Sequence, residues 1–417
     1  MPIQYDKWKL SWTAFLCLFL FLNNHKPEAI EPMRFTQDRF AIGFWVDPPM
    51  DEKADARYQE IAEANFTIVI GGFGARTAEQ IQRQIDLCRK YGLKGIVGTE
   101  DLSPEKYVSG EGCWGFLMKD EPNAAQFLSL SSQVETNRKL HPGKLSYINL
   151  FPDYANAEQM GKPSYEEYVA SYMETVRPDV LSMDYYPLFK PDADDRDGYC
   201  RNLDVMRRYS LKYNVPFWNF FNIMPFGPHT DPTESQIRWQ IYTSLAYGAK
   251  GVLYFCYYTP PGGEFSKGGA IIRQDGSRTR HYEEAKKINA ELKNLGPVLM
   301  QLTSIGVYRI SPKDNPSDIL KNTPIKNISR RPEDPECDYL VGVFKHKDGR
   351  DAVLLNNYRF AYTAWPTVEF NADIANIREI DKETGKEIPV KDDSPDMPGL
   401  QISLGAGDGR LFVISGK

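Results

Sequence analysis

SQIRWQIYTSLAYGAKGVLYFCYY, residues 235–258, holds two periodicities back to back. Through Ser235–Tyr247 apolar side chains return every three or four residues, with Ile237, Ile241 and Leu245 in line, so the stretch reads as a helix. Gly248 sits where a helix C-cap belongs, and Gly251–Tyr258 is a short β-branched and aromatic run that reads as a buried strand.

The same alternation extends towards the N-terminus at intervals of roughly 25 to 40 residues, the pattern of βα units on a parallel sheet. Eight strands are expected: Phe40–Asp47, Phe66–Gly72, Lys94–Asp101, Trp114–Glu121, Lys144–Phe151, Val180–Tyr186, Pro216–Ile223 and Gly251–Tyr258. Helices are expected over Glu79–Tyr91, Asn123–Leu140, Tyr165–Val176, Leu203–Tyr213, Ser235–Tyr247 and His281–Leu295, with Gly92, Gly248 and Gly296 as C-caps. Eight such units predict an α/β fold of the (β/α)8 TIM-barrel class rather than an open doubly wound sheet. The first strand runs into Trp45-Val46-Asp47-Pro48-Pro49 and not into a glycine-rich turn, and no G-x-G-x-x-G occurs, which argues against a nucleotide cofactor.

Beyond about Ile305 the pattern changes to short alternating runs: Tyr339–Phe344, Asp351–Asn356, Thr367–Phe370, Ile377–Ile380, Gln401–Leu404 and Arg410–Ile414, with Lys347-Asp348-Gly349 as a hairpin turn. These read as an antiparallel β-sandwich, with Pro312–Glu336 as a long surface loop. The expected domains are an N-terminal segment 1–30, a barrel 36–302 and a sandwich 303–417.

In the N-terminal segment, Lys7 and Lys9 precede the apolar run Leu10–Leu22, and polar residues follow, which is the layout of a secretory signal or an N-terminal anchor. Export is therefore expected, with any membrane attachment confined to that segment. With 50 Lys+Arg against 56 Asp+Glu, a net charge of -6 and no basic run, a nucleic-acid partner is not expected. The cysteines past the leader (Cys88, Cys113, Cys200, Cys256, Cys337) show no metal-ligand spacing, and the five histidines are scattered. Neither a metal nor a cofactor is expected.

Reactive groups in such a barrel come from the C-terminal ends of its strands. Here those ends carry Trp45 and Asp47; Glu100-Asp101; Asp120-Glu121; Asn149 and Asp153; Asp184-Tyr185; Trp218, Asn219 and Asn222; and Tyr258. Carboxylates among aromatic faces suit a sugar, and glycoside cleavage needs two carboxyl groups and no metal. Asp120-Glu121-Pro122 reads two ways: as a buried general acid, or as an exposed cap on the helix that follows. Trp218 and Phe220 share one face of their strand and Asn219 and Phe221 the other, so only one set faces the barrel interior.

The stretches Gly115–Pro122 (GFLMKDEP), Leu181–Pro187 (LSMDYYP), Arg238–Tyr242 with Ala246–Gly251, and Gly405–Val413 (GAGDGRLFV) resemble exported (β/α)8 glycoside hydrolases of clan A. The likeness is greatest to the β-galactosidase-like, family 42-like members common in Bacteroidetes. The resemblance implies a carbohydrate substrate, a Gram-negative periplasmic, outer-surface or secreted location, and Glu121 as strand-4 acid/base. Two departures stand out: Asp120 replaces the clan's usual Asn, and Phe217–Asn222 lacks the strand-7 nucleophilic Glu. Asp184 ranks first and Glu264 second as the missing carboxylate. Alternatively, the Asp120-Glu121 pair is similar to that of hexosaminidases that use the substrate's own N-acetyl group. The expected catalytic residues are thus Glu121, Asp184 and Glu264, with Trp45, Asp47, Asp120, Tyr185, Trp218, Asn219, Asn222 and Tyr258 binding substrate. The rival is a non-catalytic glycan-binding protein on a barrel without its nucleophile; a lyase or isomerase using Tyr185 or Lys119 is a weaker third.

Overall fold

A computed structural model describes Met1 and residues 32–99, 102–265, 269–329, 334–397 and 399–415. The expected leader and the strand-end acids Glu100 and Asp101 lie outside the described residues. The chain divides into Met1–Met33 and a compact unit Arg34–Lys417, whose fold follows.

All eight expected barrel strands form: β1 (Ala41–Phe44), β2 (Ile68–Ile70), β3 (Lys94–Gly98), β4 (Cys113–Asp120), β5 (Leu145–Leu150), β6 (Leu181–Asp184), β7 (Phe217–Asn222) and β8 (Gly251–Phe255). They make one parallel sheet in the order β1-β8-β7-β6-β5-β4-β3-β2. The seam between β1 and β2 is bridged by Thr67, whose N–H donates to the Ile42 carbonyl at 2.9 Å and whose hydroxyl oxygen accepts from the Ile42 N–H at 2.8 Å. The helices are α1 (Ala54–Glu63), α2 (Ala78–Lys90), α3 (Phe127–Leu140), α4 (Ala157–Met160), α5 (Tyr165–Thr175), α6 (Arg196–Tyr213), α7 (Glu234–Ala246) and α8 (Arg280–Leu299). After β3 the helix is only a 3-10 turn, Pro104–Lys106.

Gly92 and Gly248 follow their helices with φ of 71° and 93°, as C-capping requires. Gly296 does not cap α8, which continues to Leu299. A Cβ on Gly296 would lie 3.0 Å from that of Phe40, so its role is close packing of α8 on the chain entering β1.

Strand alternation sorts the interior. Trp114, Tyr147, Trp218, Phe220 and Leu253 point inward with Ile68, Ile70 and Ile96, while Phe217 and Phe221 point to the helices. The indoles of Trp114 and Trp218 stack at 5.9 Å, and Phe35 meets Trp114 edge-on at 5.0 Å, so the lower barrel is filled with aromatic rings.

The C-terminal part comprises β9 (Leu302–Ile310), β10 (Ile325–Ser329), β11 (Tyr339–His346), β12 (Asp351–Asn357), β13 (Thr367–Phe370), β14 (Ile377–Ile380), β15 (Glu387–Pro389), β16 (Leu400–Gln401) and β17 (Gly409–Ile414). These form a six-stranded sheet, β9-β11-β12-β17-β14-β15, and a three-stranded sheet, β10-β13-β16, both antiparallel and sharing one core through Val341, Val353, Ile328 and Val368. Pro312–Glu336 is not all loop, because Ile325 and Ile328 point into that core and make β10 a paired strand.

The sheets lie directly on α7, every residue of which from Ile237 to Ala246 is buried. Close approach needs glycine at two points: a Cβ on Gly342 would come within 2.5 Å of the Ala246 carbonyl, and one on Gly407 within 2.1 Å of that of Ser235. Trp239 packs on Tyr199 of α6 and on Tyr358 and Phe360 from the segment that follows β12. Trp239→Ala should cost about 3–5 kcal/mol, the range for deleting a large buried aromatic, read as a lowered midpoint in urea unfolding.

Candidate active site

A cavity of about 200 Å3 opens at the C-terminal ends of the strands, lined by Trp45, Asp120, Glu121, Asn149, Asp184, Tyr186, Phe220 and Phe255. Inward positions on neighbouring strands build it. Tyr147 and Asn149 alternate inward on β5, Ser182 and Asp184 on β6 with Tyr186 beyond it, and Trp218 and Phe220 on β7.

Two left-handed residues shape the mouth. Glu121 has φ 44° directly after β4, so it breaks the strand's alternation and lines the cavity alongside Asp120. Val46, with φ 65°, follows Trp45 at the end of β1. A left-handed β-branched residue costs of order 1–3 kcal/mol, and such outliers cluster at functional sites.

A column of hydrogen bonds rises from the aromatic floor to the acids. The Tyr147 hydroxyl lies 2.8 Å from that of Ser182, which donates to Asn149 Oδ1 at 3.0 Å. With its oxygen so occupied, Asn149 must turn its NH2 to the carboxyls. Nδ2 donates to Asp184 Oδ1 at 2.8 Å and to Asp120 Oδ1 at 3.3 Å. One amide nitrogen thus holds both carboxyls on the same wall.

Lack of water dominates the electrostatics. Burial, reinforced by the Asp120 charge, pushes Glu121 up to about 7. Asp184 is 6% exposed and lies well above the usual carboxylate range, first through burial and then through Glu121 and Asp120. Asp120 is raised by burial against the pull of Asn149. Burial thus favours the neutral form of all three carboxyl groups, that of Glu121 up to about pH 7. Among the described residues no three His, Cys, Asp or Glu side chains are grouped to hold a metal ion.

Of the expected site residues, Trp45, Asp120, Glu121 and Asp184 share this cavity. The others have different partners. Asp47 is buried and fully used: Oδ1 accepts from the Phe73 and Gly74 N–H groups at 2.9 Å each, and Oδ2 from Ala75 N–H at 3.3 Å and Gln84 Nε2 at 2.8 Å. It pins the loop after β2 and does not line the cavity. Trp218 belongs to the floor and donates to Gln37 Oε1 at 3.0 Å. Asn219 points to the helices, bonding the Tyr199 and Ser244 hydroxyls, and the buried Asn222 reaches the Thr230 carbonyl. Tyr185 turns outward to Asp195 at 2.5 Å, and the Tyr258 hydroxyl donates to the Gln274 carbonyl. Glu264 is exposed on its loop, its carboxyl beside Gly227, and does not line the cavity. Asn149, Tyr186, Phe220 and Phe255 line it without having been singled out as binding residues. The two-residue spacing of Tyr186 from Asp184 and of Phe220 from Trp218 was the available signal.

Residues 148–295 match the family model described as Glyco_hydro_42, β-galactosidase. The fold is similar to that of family 42 β-galactosidases. The family-42-like match runs from β5 into α8 and so includes Asn149 and Asp184 but not Asp120 or Glu121. A catalytic mutant of a family 42 β-galactosidase from G. stearothermophilus superposes with a TM-score of 0.57 at 9% identity, covering 91% of this chain and 98% of that one. The β-galactosidase from Bacillus circulans sp. alkalophilus gives 0.54 at 12% identity, covering 90% and 99%. With the β-galactosidase of the psychrophilic Marinomonas ef1 the TM-score is 0.46 at 14% identity, over 61% of this chain and 60% of that one. At such identities the likeness is one of fold. No curated protein sequence matches the chain.

Two substitutions test the architecture. Asn149→Ala removes the shared donor, so the apparent pKa of Asp120 and Asp184 should rise, read by carboxyl-carbon NMR titration. Asp47→Asn should cost about 1–3 kcal/mol at neutral pH, because an NH2 would face backbone N–H groups. Burial raises Asp47 from 3.8 to about 6, so the native state holds the extra proton between those values. That group's contribution therefore falls as pH rises through the window, and urea midpoints of Asp47→Asn should lack this slope.

Proposed function

We propose that the chain is an exported hydrolase of glycosidic bonds in an oligosaccharide or polysaccharide, with Glu121 as general acid and Asp184 as the second carboxyl group. One observation carries the reading: Glu121, held up to about 7, opens beside Asp120 and Asp184 into a cavity walled by Trp45, Tyr186, Phe220 and Phe255. A carboxylic acid still protonated near neutrality can give its proton to a leaving glycosidic oxygen, and aromatic faces take the apolar faces of a sugar ring. The Asp120–Asn149–Asp184 group supplies negative charge where the oxocarbenium-like transition state becomes positive. The family-42-like fold supports a carbohydrate substrate, and the basic-then-apolar leader supports export.

A second reading, glycan binding without cleavage, is favoured by one feature: β7 contributes Phe220 to the cavity and no acid. Product release and calorimetric binding over one panel of polysaccharides and aryl glycosides separate the two. Glu121→Gln should lower kcat by about 10²–10⁴-fold, the usual weight of a general acid, with binding retained. For the wild type, kcat/KM should fall as pH rises through about 7, since only protonated Glu121 can donate. Binding by the wild type with no cleavage of any glycoside would establish the glycan-binding reading.

A further inference from the structure

The cavity at the strand ends has a volume of about 200 Å3. Pockets that enclose a whole drug-sized ligand run to about 300–1,000 Å3, so this one takes the sugar at the bond to be cut and leaves the rest of a glycan chain outside. Whatever holds that remainder must lie on the surface around the mouth.

Among the described residues three aromatic side chains are exposed: Tyr154 at 53%, Tyr362 at 68% and Trp365 at 47%. All three are at the mouth end of the molecule. Tyr154 lies on the loop after β5 and meets Tyr185, the neighbour of Asp184, edge-on with ring centroids 5.1 Å apart. Tyr362 and Trp365 lie on the segment between β12 and β13. That segment is tied to the first turns of α6 and α7, which begin on the side where β6 and β7 end. The Ser235 hydroxyl donates to the Phe360 carbonyl at 2.7 Å, and the Arg196 guanidinium lies 5.5 Å from the Tyr358 ring centre and 5.3 Å from that of Phe360. A single exposed apolar residue is ordinary, whereas exposed rings gathered at the end that carries the cavity mark a binding face.

The two outer rings stand on fixed backbone. The Tyr362 carbonyl accepts from Asn357 Nδ2 at 2.7 Å. Its ring lies 5.8 Å from the Arg359 guanidinium, which two hydrogen bonds of 2.7 and 2.6 Å hold to the Asp334 carboxylate. Ala364, beside Trp365, exchanges both backbone hydrogen bonds with Leu404, at 2.9 and 2.8 Å. This order exists before any ligand arrives, which lowers the entropic cost of binding. Thr363 separates the two rings in the chain, and the Arg359–Asp334 pair lies beside Tyr362. The surface therefore offers ring faces next to hydrogen-bonding groups, as sugars require, and not the continuous apolar centre of a protein interface.

Resting on the hydrolase reading above, we infer that the substrate is a polysaccharide and that Tyr362 and Trp365 form an outer platform on which its sugar rings stack, with Tyr154 as a nearer contact at the cavity rim. The C-terminal part of the chain then carries a share of the substrate site besides covering α7.

The test compares the full-length wild type with Tyr362→Ala, with the Tyr362→Ala, Trp365→Ala double variant and with Tyr362→Phe. The probes are soluble galactan, arabinogalactan, xylan, laminarin and hydroxyethylcellulose, together with aryl glycosides of their sugars. Retardation in native gels that contain each polymer reads binding, and release of reducing ends or of the aryl group reads cleavage. The wild type should be retarded by the polymer it cleaves. In the double variant that retardation should be lost, and the ratio of kcat/KM on polymer to kcat/KM on aryl glycoside should fall by about tenfold or more, the scale for truncating aromatic hot spots. Tyr362→Ala, which removes only the more exposed ring, should move both readouts in the same direction, and Tyr362→Phe should match the wild type. An unchanged ratio and unchanged retardation in the double variant overturn the inference and leave the hydrolase reading standing. So does a wild type that cleaves aryl glycosides but neither binds nor cleaves a polymer. If the wild type cleaves no glycoside, the hydrolase reading falls; polymer retardation that disappears in the double variant would then still establish the platform, and no retardation by any polymer would overturn it as well.

Discussion

The orientation of a single side-chain amide organises one wall of the cavity at the strand ends. Asn149 has one acceptor and one donor group, and the Ser182 hydroxyl takes the acceptor. Everything above it follows from that choice. The NH2 can only face the carboxyls, two acids are drawn to one nitrogen, and burial away from water, joined for Asp184 by the neighbouring acids, raises both above the usual carboxylate range. Ser182 is set in turn by Tyr147, a buried phenol whose titration is pushed further up and which packs against Trp218. The hydrogen-bond column that ends at the acids thus stands on the aromatic packing of the floor.

Backbone geometry supplies the second requirement. A regular strand sends consecutive side chains to opposite faces, so Asp120 and Glu121 could not both serve one cavity if β4 simply continued. A register shift against β5 between Leu117 and Lys119, followed by the left-handed Glu121, brings the second acid round. Bulges and strained dihedrals next to reactive groups are a common way to aim a side chain.

The barrel was legible in the sequence because its signals are local: each strand is a short apolar run, and each helix shows a three-to-four spacing that ends near a glycine. The C-terminal sheets were legible where strands alternate cleanly. β10 was hidden among Pro, Asn and Lys residues because only Ile325 and Ile328 face its core. At the site, Glu121, Asp120, Asp184 and Trp45 could be named from strand ends. Asp47, Asn219 and Tyr185 sit at strand ends too, but which way each turns depends on long-range partners such as Gln84, Ser244 and Asp195. Composition does not reveal such partners. Asn149 was visible as a strand-end residue, but its importance lies in the Ser182 contact, 33 positions away.

The burial of α7 on all sides has a bearing on how the two parts of the chain can have arisen and how they can be recombined. A barrel helix ordinarily keeps one face for water, and a C-terminal module that docks on it can be exchanged or lost. Here the outer face of α7 carries Trp239 and Tyr242, side chains with no tolerance for solvent, and the sheets carry glycines at the matching points. The C-terminal sheets are therefore part of the barrel's own outer shell, and a cut near residue 302 would leave a barrel with an apolar flank in place of an independent catalytic module.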